Sequence, residues 1–229
     1  MNKSLKQKIR NDFDRIALHN REGWDHNNHY HRFLLKQLPS QRQTALDIGC
    51  GTGEFSRLLS KRFETVVAID LSPNMIEVAK QRSRQFSNID FQVADVMQWK
   101  PAAEQFDVIV SIATLHHLPV ENLLPKLKAA LNPGGRLIIL DLLEHESWRD
   151  MLNELVAVPL NWLFQALKNS HIQQSPKAAA AMREHLRTDK YLTISQVQRI
   201  YTRPLRKAKV RKHLFWRYSV VWEKPVLAS

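Results

Sequence analysis

The sequence has one cysteine, Cys50, and therefore no second thiol with which a disulfide could form within the chain. A chain without disulfides suits a reducing compartment, so we expect a cytoplasmic location. No segment approaches the roughly 18 uninterrupted apolar residues that indicate a membrane-spanning helix. The first ten residues include four Lys or Arg and no apolar core segment, so we expect no signal peptide. These features favour a globular protein over a membrane-embedded or secreted one.

Acidic residues are scarce relative to basic ones, with 22 Asp or Glu against 34 Lys or Arg and a net charge of +12. The excess lies at the two ends, because residues 1–43 carry +5 and residues 145–229 carry +9, whereas residues 44–144 carry −2. A basic surface attracts anionic partners such as nucleic acids. It also occurs as an ordinary solvated surface, which we favour because the central part is near neutral. Nucleic acid stays an alternative partner.

A length of 229 residues suffices for one α/β domain with a sizeable core. Strand-like apolar runs alternate with helical segments between residues 44 and 141, which implies a parallel sheet with right-handed crossovers. Residues 65–69 are mostly β-branched, as in a strand buried on both faces, whereas residues 89–93 alternate and suit a sheet edge. The predicted strands are 45–48, 65–69, 89–93, 106–111 and 136–140, with a helix over 123–131 and a turn over 132–135 before the fifth strand.

A glycine-rich turn, residues 49–53 with the sequence G-C-G-T-G, joins the first strand to the following helix. Glycines let the backbone turn sharply and approach a ligand closely. Asp47 before the turn and the helix N-terminus after it place a carboxylate and free N–H groups together. The dinucleotide fingerprint G-x-G-x-x-G requires glycine at position 54, which is Glu54 here. The turn alone fits either a nucleotide-type cofactor or a plain strand-to-helix connection.

An acidic residue, Asp70, ends the second predicted strand 19 residues after Gly51. A carboxylate at about this distance from the glycines accepts hydrogen bonds from ribose hydroxyls. The alternative is a solvated carboxylate at a strand end. Ser72 and Pro73 then provide a cap and a first position for the next helix. The spacing favours a ribose-binding role for Asp70.

Three segments together resemble the class I S-adenosylmethionine-dependent methyltransferases, of the type 11/25 that act on small molecules. They are L-D-I-G-C-G-T-G at 46–53, F-D-V-I-V-S with L-H-H-L at 106–118, and L-N-P-G-G-R-L at 131–137. The resemblance implies a single Rossmann-like domain over residues 1–229. It further implies a seven-stranded, mostly parallel sheet with helices on both faces, an antiparallel last strand and a small helical cap.

The resemblance also implies a site for S-adenosyl-L-methionine. Asp95 would face the adenine amino group and Val96 would pack against the ring. After the fourth strand, His116 would face the acceptor as the catalytic residue and His117 would be a packing residue, although two hydrogen-bonded loop histidines are an alternative. The implied cofactor-binding residues are Asp47, Gly49, Cys50, Gly51, Asp70, Leu71, Asp95, Val96 and Ser111.

No metal site is predicted. His26, His29 and His31 have no spaced partner cluster, so we expect exposed polar histidines there. A small molecule is the predicted acceptor, without a prediction of which molecule it is or of the oligomeric state.

The flanks follow the family only in general pattern. Residues 1–43 are predicted to form an N-terminal helical lid, with Phe13 and Trp24 near the cofactor, ahead of the cofactor-binding core over 44–144. Residues 145–203 are predicted to form a cap over the acceptor pocket and the last core helix. Residues 204–229 supply two further strands, 207–214 and 216–223, the latter alternating and half-buried.

The implied reaction is methyl transfer to O, N or C of a small molecule. Nucleobase amino methyltransferases typically carry N-P-P-Y after the fourth strand, where this chain has S-I-A-T at 111–114. Pyrimidine C5 methylation needs a cysteine nucleophile, and Cys50 lies in the cofactor turn. The alternatives are an RNA methyltransferase that uses the basic ends and a non-catalytic nucleotide-binding regulatory protein.

Overall fold

A computed structural model describes residues 3–18, 25–144 and 191–226. The described strands form one seven-stranded sheet in the order β3-β2-β1-β4-β5-β7-β6. Strands β1 to β5 pair in parallel, and β7 is antiparallel to both neighbours. This confirms the predicted fold class. The strands are β1 Thr44–Ile48, β2 Thr65–Asp70, β3 Ile89–Val93, β4 Phe106–Ile112, β5 Leu131–Leu142, β6 Lys209–His213 and β7 Arg217–Glu223.

Six α-helices lie in the described ranges, and local sequence signals fix the start of two of them. Ser72 caps one helix by accepting from the N–H of Met75. Thr193 and Gln196 form a reciprocal capping box at another. The helices are α1 Lys3–Ala17, α2 His31–Leu35, α3 Glu54–Ser60, α4 Pro73–Arg82, α5 Val120–Ala130 and α6 Ile194–Thr202. Short 3-10 turns cover Asn28–Tyr30 and Leu115–His117.

Apolar side chains are buried on both faces of the sheet, because helices cover both. Helices α5 and α6 bury Leu123, Leu127 and Val197 against one face. On the other face, α2 and α3 bury Leu34 and Leu59. Burial on both faces explains why the central strands are almost wholly apolar.

The fifth strand begins earlier than the sequence predicts. The N-P-G-G segment at 132–135 lies inside β5 instead of forming a separate turn, and α5 begins at Val120. Gly134 N donates to the carbonyl of Lys224, and Lys224 N donates to the carbonyl of Gly135. The register between β4 and β5 shifts at Phe106 and Val108. This irregularity accommodates a proline and two glycines within a strand.

The last strand was predicted to be half-buried, and this is wrong for most of its length. Arg217 and Ser219 on the second face are buried along with Tyr218 and Val220. The N-terminal segment causes this, because Leu34 and Tyr30 pack in the same cluster as Phe215 on that face. The predicted cap over 145–190 and Trp24 lie outside the described residues. The division of the chain into lid, core and cap stays a prediction.

Candidate functional site

The predicted site residues meet at one edge of the sheet. The glycine turn follows β1, Asp70 ends β2, Asp95 follows β3 and His116 follows β4. In open α/β sheets, ligands bind outside the carboxyl ends of the parallel strands, at the point where the strand order reverses. Here that point lies between β1 and β4. The topology therefore places the turn and His116 on the two sides of one crevice.

Two glycines of the turn serve different purposes. Gly49 has φ of +71°, and a Cβ there would come within 2.1 Å of Thr114 Oγ1. Gly51 has φ of +53°, but a Cβ there would meet no atom within 4 Å. Gly49 is thus needed for packing against the segment after β4, whereas the backbone at Gly51 borders open space. Contact of a cofactor with Gly51 stays a prediction.

Asp70 is held by backbone donors on both carboxylate oxygens. Gly51 N donates to Oδ2 at 2.9 Å, and Ser72 N donates to Oδ1 at 2.9 Å. Burial raises the pKa of Asp70, and these hydrogen bonds oppose that shift. A carboxylate has about four acceptor positions, so two backbone donors leave capacity for ribose hydroxyls.

Four other predicted cofactor residues are buried or partly buried, and two of them, Asp47 and Ser111, form hydrogen bonds within the protein. Asp47 accepts from Ser56 Oγ at 2.6 Å, and burial raises its pKa to about 7. Ser111 Oγ donates to the carbonyl of Ile48 at 3.1 Å and so ties β4 to β1. Burial raises the pKa of the Cys50 thiol, which keeps it protonated and unreactive at neutral pH. Leu71 is partly buried. Their roles toward a cofactor stay predictions.

Helix α1 lies across the same edge. Lys6 Nζ forms an ion pair of 2.6 Å with Asp95 Oδ2, while Asp95 Oδ1 accepts from Met97 N. The predicted partner of Asp95 was an adenine amino group, whereas in this structure Oδ2 of the carboxylate pairs with a lysine. Val96 is buried in the main core cluster. Lys6 was missed from the sequence because no local pattern distinguishes it among the basic residues of α1.

A second contact joins α1 to α4. Asp14 Oδ1 accepts from Ser72 Oγ and from Asn74 N, at the N-terminus of α4. Ile16 and Ala17 pack on Met75 in a small cluster with Phe13. Phe13, Ile16 and Ala17 therefore form one apolar face of α1. It packs against the helix that begins just after Asp70.

His116 is paired with an acidic residue that sequence reasoning did not assign. His116 Nδ1 lies 2.6 Å from Asp141 Oδ1, and the backbone N–H of His116 donates to Oδ2 at 2.9 Å. Asp141, at the end of β5, is completely buried. The ring of His117 contacts Phe13 edge-on, with centroids 5.9 Å apart. The signal for Asp141 was present, because it ends a parallel strand at the same edge as Asp70.

Two tyrosines lie on the Asp141 side of the sheet, and an arginine follows on the neighbouring strand. In the register of β5 and β7, Asp141 lies opposite Tyr218 and Leu142 opposite Arg217. The Tyr218 hydroxyl lies 3.5 Å from that of Tyr201. Burial and the charge of Asp141 raise the pKa of both tyrosines. Both hydroxyls therefore stay protonated at neutral pH.

The N-terminal histidines are not the exposed polar residues that the sequence predicts. His26 stacks on Phe215 with centroids 5.0 Å apart, and His29 contacts the same ring edge-on at 5.2 Å. Burial lowers the pKa of His31 to about 4. His26 and His29 thus pack against the segment before β7, which is distant in sequence, whereas the His31 ring lies 5.0 Å from that of Phe55. Within residues 3–18, 25–144 and 191–226, no group of three or more His, Cys, Asp or Glu is arranged to hold a metal.

A family model described as "Methyltransferase domain" matches residues 45–135. That segment contains the glycine turn, Asp70, Asp95 and His116. The chain contains a class I S-adenosylmethionine-dependent methyltransferase domain. None of the helices in the described part is long and apolar enough to cross a membrane.

The curated relatives match this chain over the methyltransferase domain and not over its whole length. A ubiquinone biosynthesis O-methyltransferase of Coxiella burnetii is 32% identical over 108 residues, which are 46% of this chain and 46% of that protein. The chain thus matches about half the length of this curated relative. The methyltransferase domain is the part held in common.

Solved structures match over nearly the whole chain. The DhpI-SAM-HEP complex aligns with a TM-score of 0.66 at 17% identity, covering 96% of this chain and 99% of that chain. The [4+2]-cyclase SpnF aligns with a TM-score of 0.61 at 15% identity, covering 96% and 97%. At these identities the likeness establishes the fold and nothing finer.

Proposed function

We propose that this protein transfers a methyl group from S-adenosyl-L-methionine to O, N or C of a small-molecule acceptor. One observation carries the proposal. The open backbone at Gly51 with Asp70, and the His116–Asp141 pair, lie at the same sheet edge on either side of the strand reversal. This arrangement suits a cofactor on one side and an acceptor on the other.

The cofactor, when bound, supplies a sulfonium whose thioether is a good leaving group. The protein therefore needs no covalent nucleophile, which agrees with a buried Cys50. What the chain contributes is alignment of the acceptor with the methyl group. Gly51 allows close approach of the cofactor, and Asp70 accepts from its ribose hydroxyls.

His116 is proposed as the residue that removes the acceptor's proton. The Asp141 carboxylate accepts from Nδ1–H at 2.6 Å, which leaves Nε2 as the basic nitrogen. A second hydrogen bond, from His116 N to the same carboxylate, fixes the ring's position. Asp141 is thus a positioning residue for His116. For an acceptor that is already a good nucleophile, His116 orients it instead.

The test is incubation of the protein with methyl-labelled S-adenosylmethionine and a metabolite extract, with mass spectrometry of the product. Label is expected in the low-mass fraction. His116→Ala should lower kcat for that product at least 100-fold while S-adenosylhomocysteine affinity changes less than two-fold. Asp141→Asn should lower kcat at least ten-fold with KM nearly unchanged, because the ring loses its orienting acceptor.

The alternatives predict other outcomes. An RNA methyltransferase would give salt-resistant, saturable labelling of a defined RNA and none of any metabolite. Non-specific phosphate contacts by the basic ends would be weak and lost with added salt. A non-catalytic protein, or one using the fold for another reaction as SpnF does, would bind the cofactor without transferring label.

We also propose a cytoplasmic location, in line with a single, buried cysteine.

A further inference from the structure

Arg217 is a buried cation at the end of the sheet that carries the candidate site. It begins β7, pairs in register with Leu142 and has only 7% of its surface exposed. The next residue, Tyr218, lies opposite Asp141. Asp141 and Tyr218 share one face at this end of the sheet, and Arg217 lies at the same end with its side chain on the opposite face, towards Asn27 of the N-terminal segment.

The charge of Arg217 is not neutralised by an ion pair with any carboxylate in the described ranges. Nε donates to Asn27 Oδ1 at 3.0 Å, and Nη1 donates to the carbonyl of Phe215 at 3.0 Å. A longer contact of 3.4 Å reaches the carbonyl of Trp216. All of these acceptors are neutral. The described residues offer Nη2 no acceptor, although a guanidinium has five N–H donors in a fixed fork.

A buried cation with neutral partners is costly, because desolvation is not repaid by an opposite charge. Burial lowers the pKa of Arg217, and the charges of Asp141 and Asp25 oppose that shift without reaching ion-pair distance. By contrast, Arg136 in the same sheet forms an ion pair of 2.8 Å with Glu223. Arg217 lacks such a carboxylate, although it is much more buried than Arg136.

We propose that Arg217 binds an oxyanion of the acceptor, a carboxylate or a phosphate group, through its Nη2 side. Planar oxyanion recognition by an arginine fork is strong and directional. Asp141, whose carboxylate holds His116, also acts electrostatically on Arg217, so an anionic group bound by Arg217 would lie at the same end of β5 and β7 as the proposed acceptor. This inference rests on the proposed function for the identity of the ligand as acceptor, but the anion site itself does not require catalysis.

The site is tested on the full chain saturated with S-adenosylhomocysteine, titrated separately with inorganic phosphate and with acetate. Chloride keeps the ionic strength constant, so that general surface charge contributes equally throughout. Saturable binding of at least one of the two anions is expected. The stronger binder indicates whether the acceptor group is a phosphate or a carboxylate.

Two variants locate the site. Arg217→Gln should weaken binding of that anion at least ten-fold. Arg217→Lys, which keeps the charge and disturbs folding less, should weaken it at least three-fold because the fork is lost. Arg136→Gln is the matched control, because Arg136 lies opposite Glu223 at the other end of β7 from Arg217, and its anion affinity should equal that of the unmodified chain.

Two results would overturn the anion site: no saturable binding of either anion by the unmodified chain, or affinities in both Arg217 variants equal to those of the control. Absence of methyl transfer with anion binding intact would contradict only the proposed function. Methyl transfer to a product with no anionic group would contradict only the assignment of Arg217 to the acceptor.

Discussion

At the scale of single residues, Asp47 and Asp107 are two buried carboxyls that differ in the number of hydrogen bonds they accept. Asp47 accepts one hydrogen bond, from Ser56, and its pKa is raised to about 7. Asp107 accepts from Gln43 N and Thr44 N at 2.7 and 3.0 Å. An unfolded chain ionises such groups near pH 3.9. Between about pH 4 and pH 7 the unfolded state therefore releases a proton that folded Asp47 retains.

Stability should accordingly fall as pH rises through this window. Asp47→Asn removes the titration, and an amide oxygen still accepts from Ser56. We expect its Tm at pH 8 to exceed that of the unmodified chain by at least about 3 °C, or about 1 kcal/mol. The gap should shrink as pH falls towards 4. Calorimetric melts at several pH values measure this.

Asp107→Asn is the control for that experiment. Gln43 N and Thr44 N both donate to Oδ2, and Asn132 Nδ2 donates to Oδ1, so an amide that keeps its oxygen towards the first two sets its NH2 group against that of Asn132, at a cost of about 2 kcal/mol. Its Tm should be lower than that of the unmodified chain at every pH. A stabilised Asp107→Asn, or an Asp47→Asn gap independent of pH, would contradict the assignment of these two carboxyls.

At the scale of elements, helix α1 contacts the part of the sheet edge where the cofactor is predicted to bind. It contacts Asp95 through Lys6 and the start of α4 through Asp14. Both contacts lie beside predicted cofactor residues. We therefore expect the N-terminal segment to be held more firmly when the cofactor is bound, as predicted for a lid.

Asp14→Ala tests this. The variant loses the acceptor for Ser72 Oγ and Asn74 N, so limited proteolysis within residues 1–35 should become at least three-fold faster. S-adenosylhomocysteine should slow that cleavage in the unmodified chain. Glu77→Ala, an exposed change on α4, serves as control and should cleave at the normal rate. Equal rates with and without cofactor would count against the lid.

Elements with a local signal could be predicted from the sequence. The glycine turn, the position of Asp70 at the end of β2 and the Ser72 cap depend on residues close together in the chain, and all three occur as predicted, whereas the ribose-binding role of Asp70 stays a prediction. The N-P-G-G segment was misassigned because its pairing partner, Lys224, is some 90 residues away. Two-sided burial of β7 was missed because its cover comes from the N-terminal segment. In the site, Lys6, Asp141 and Arg217 required the tertiary structure for the same reason.

At the scale of the whole molecule, the sheet brings these distant residues to one edge. The near-neutral strands β1 to β5 carry the cofactor turn, and the basic ends contribute Lys6 and Arg217 to its two sides. Of these cations, Lys6 pairs with Asp95, and Arg217 is the residue proposed to bind the acceptor's oxyanion. A nucleic-acid partner is not needed to explain these two cations.

The most direct measurement is calorimetric titration with S-adenosylhomocysteine and, separately, with NADH. We expect S-adenosylhomocysteine to bind more tightly, and Asp70→Ala to weaken it at least ten-fold, since buried hydrogen bonds to the ribose are lost. Asp90→Ala, an exposed change on β3, should leave its affinity unchanged. Tighter binding of NADH, or unchanged affinity in Asp70→Ala, would contradict the account.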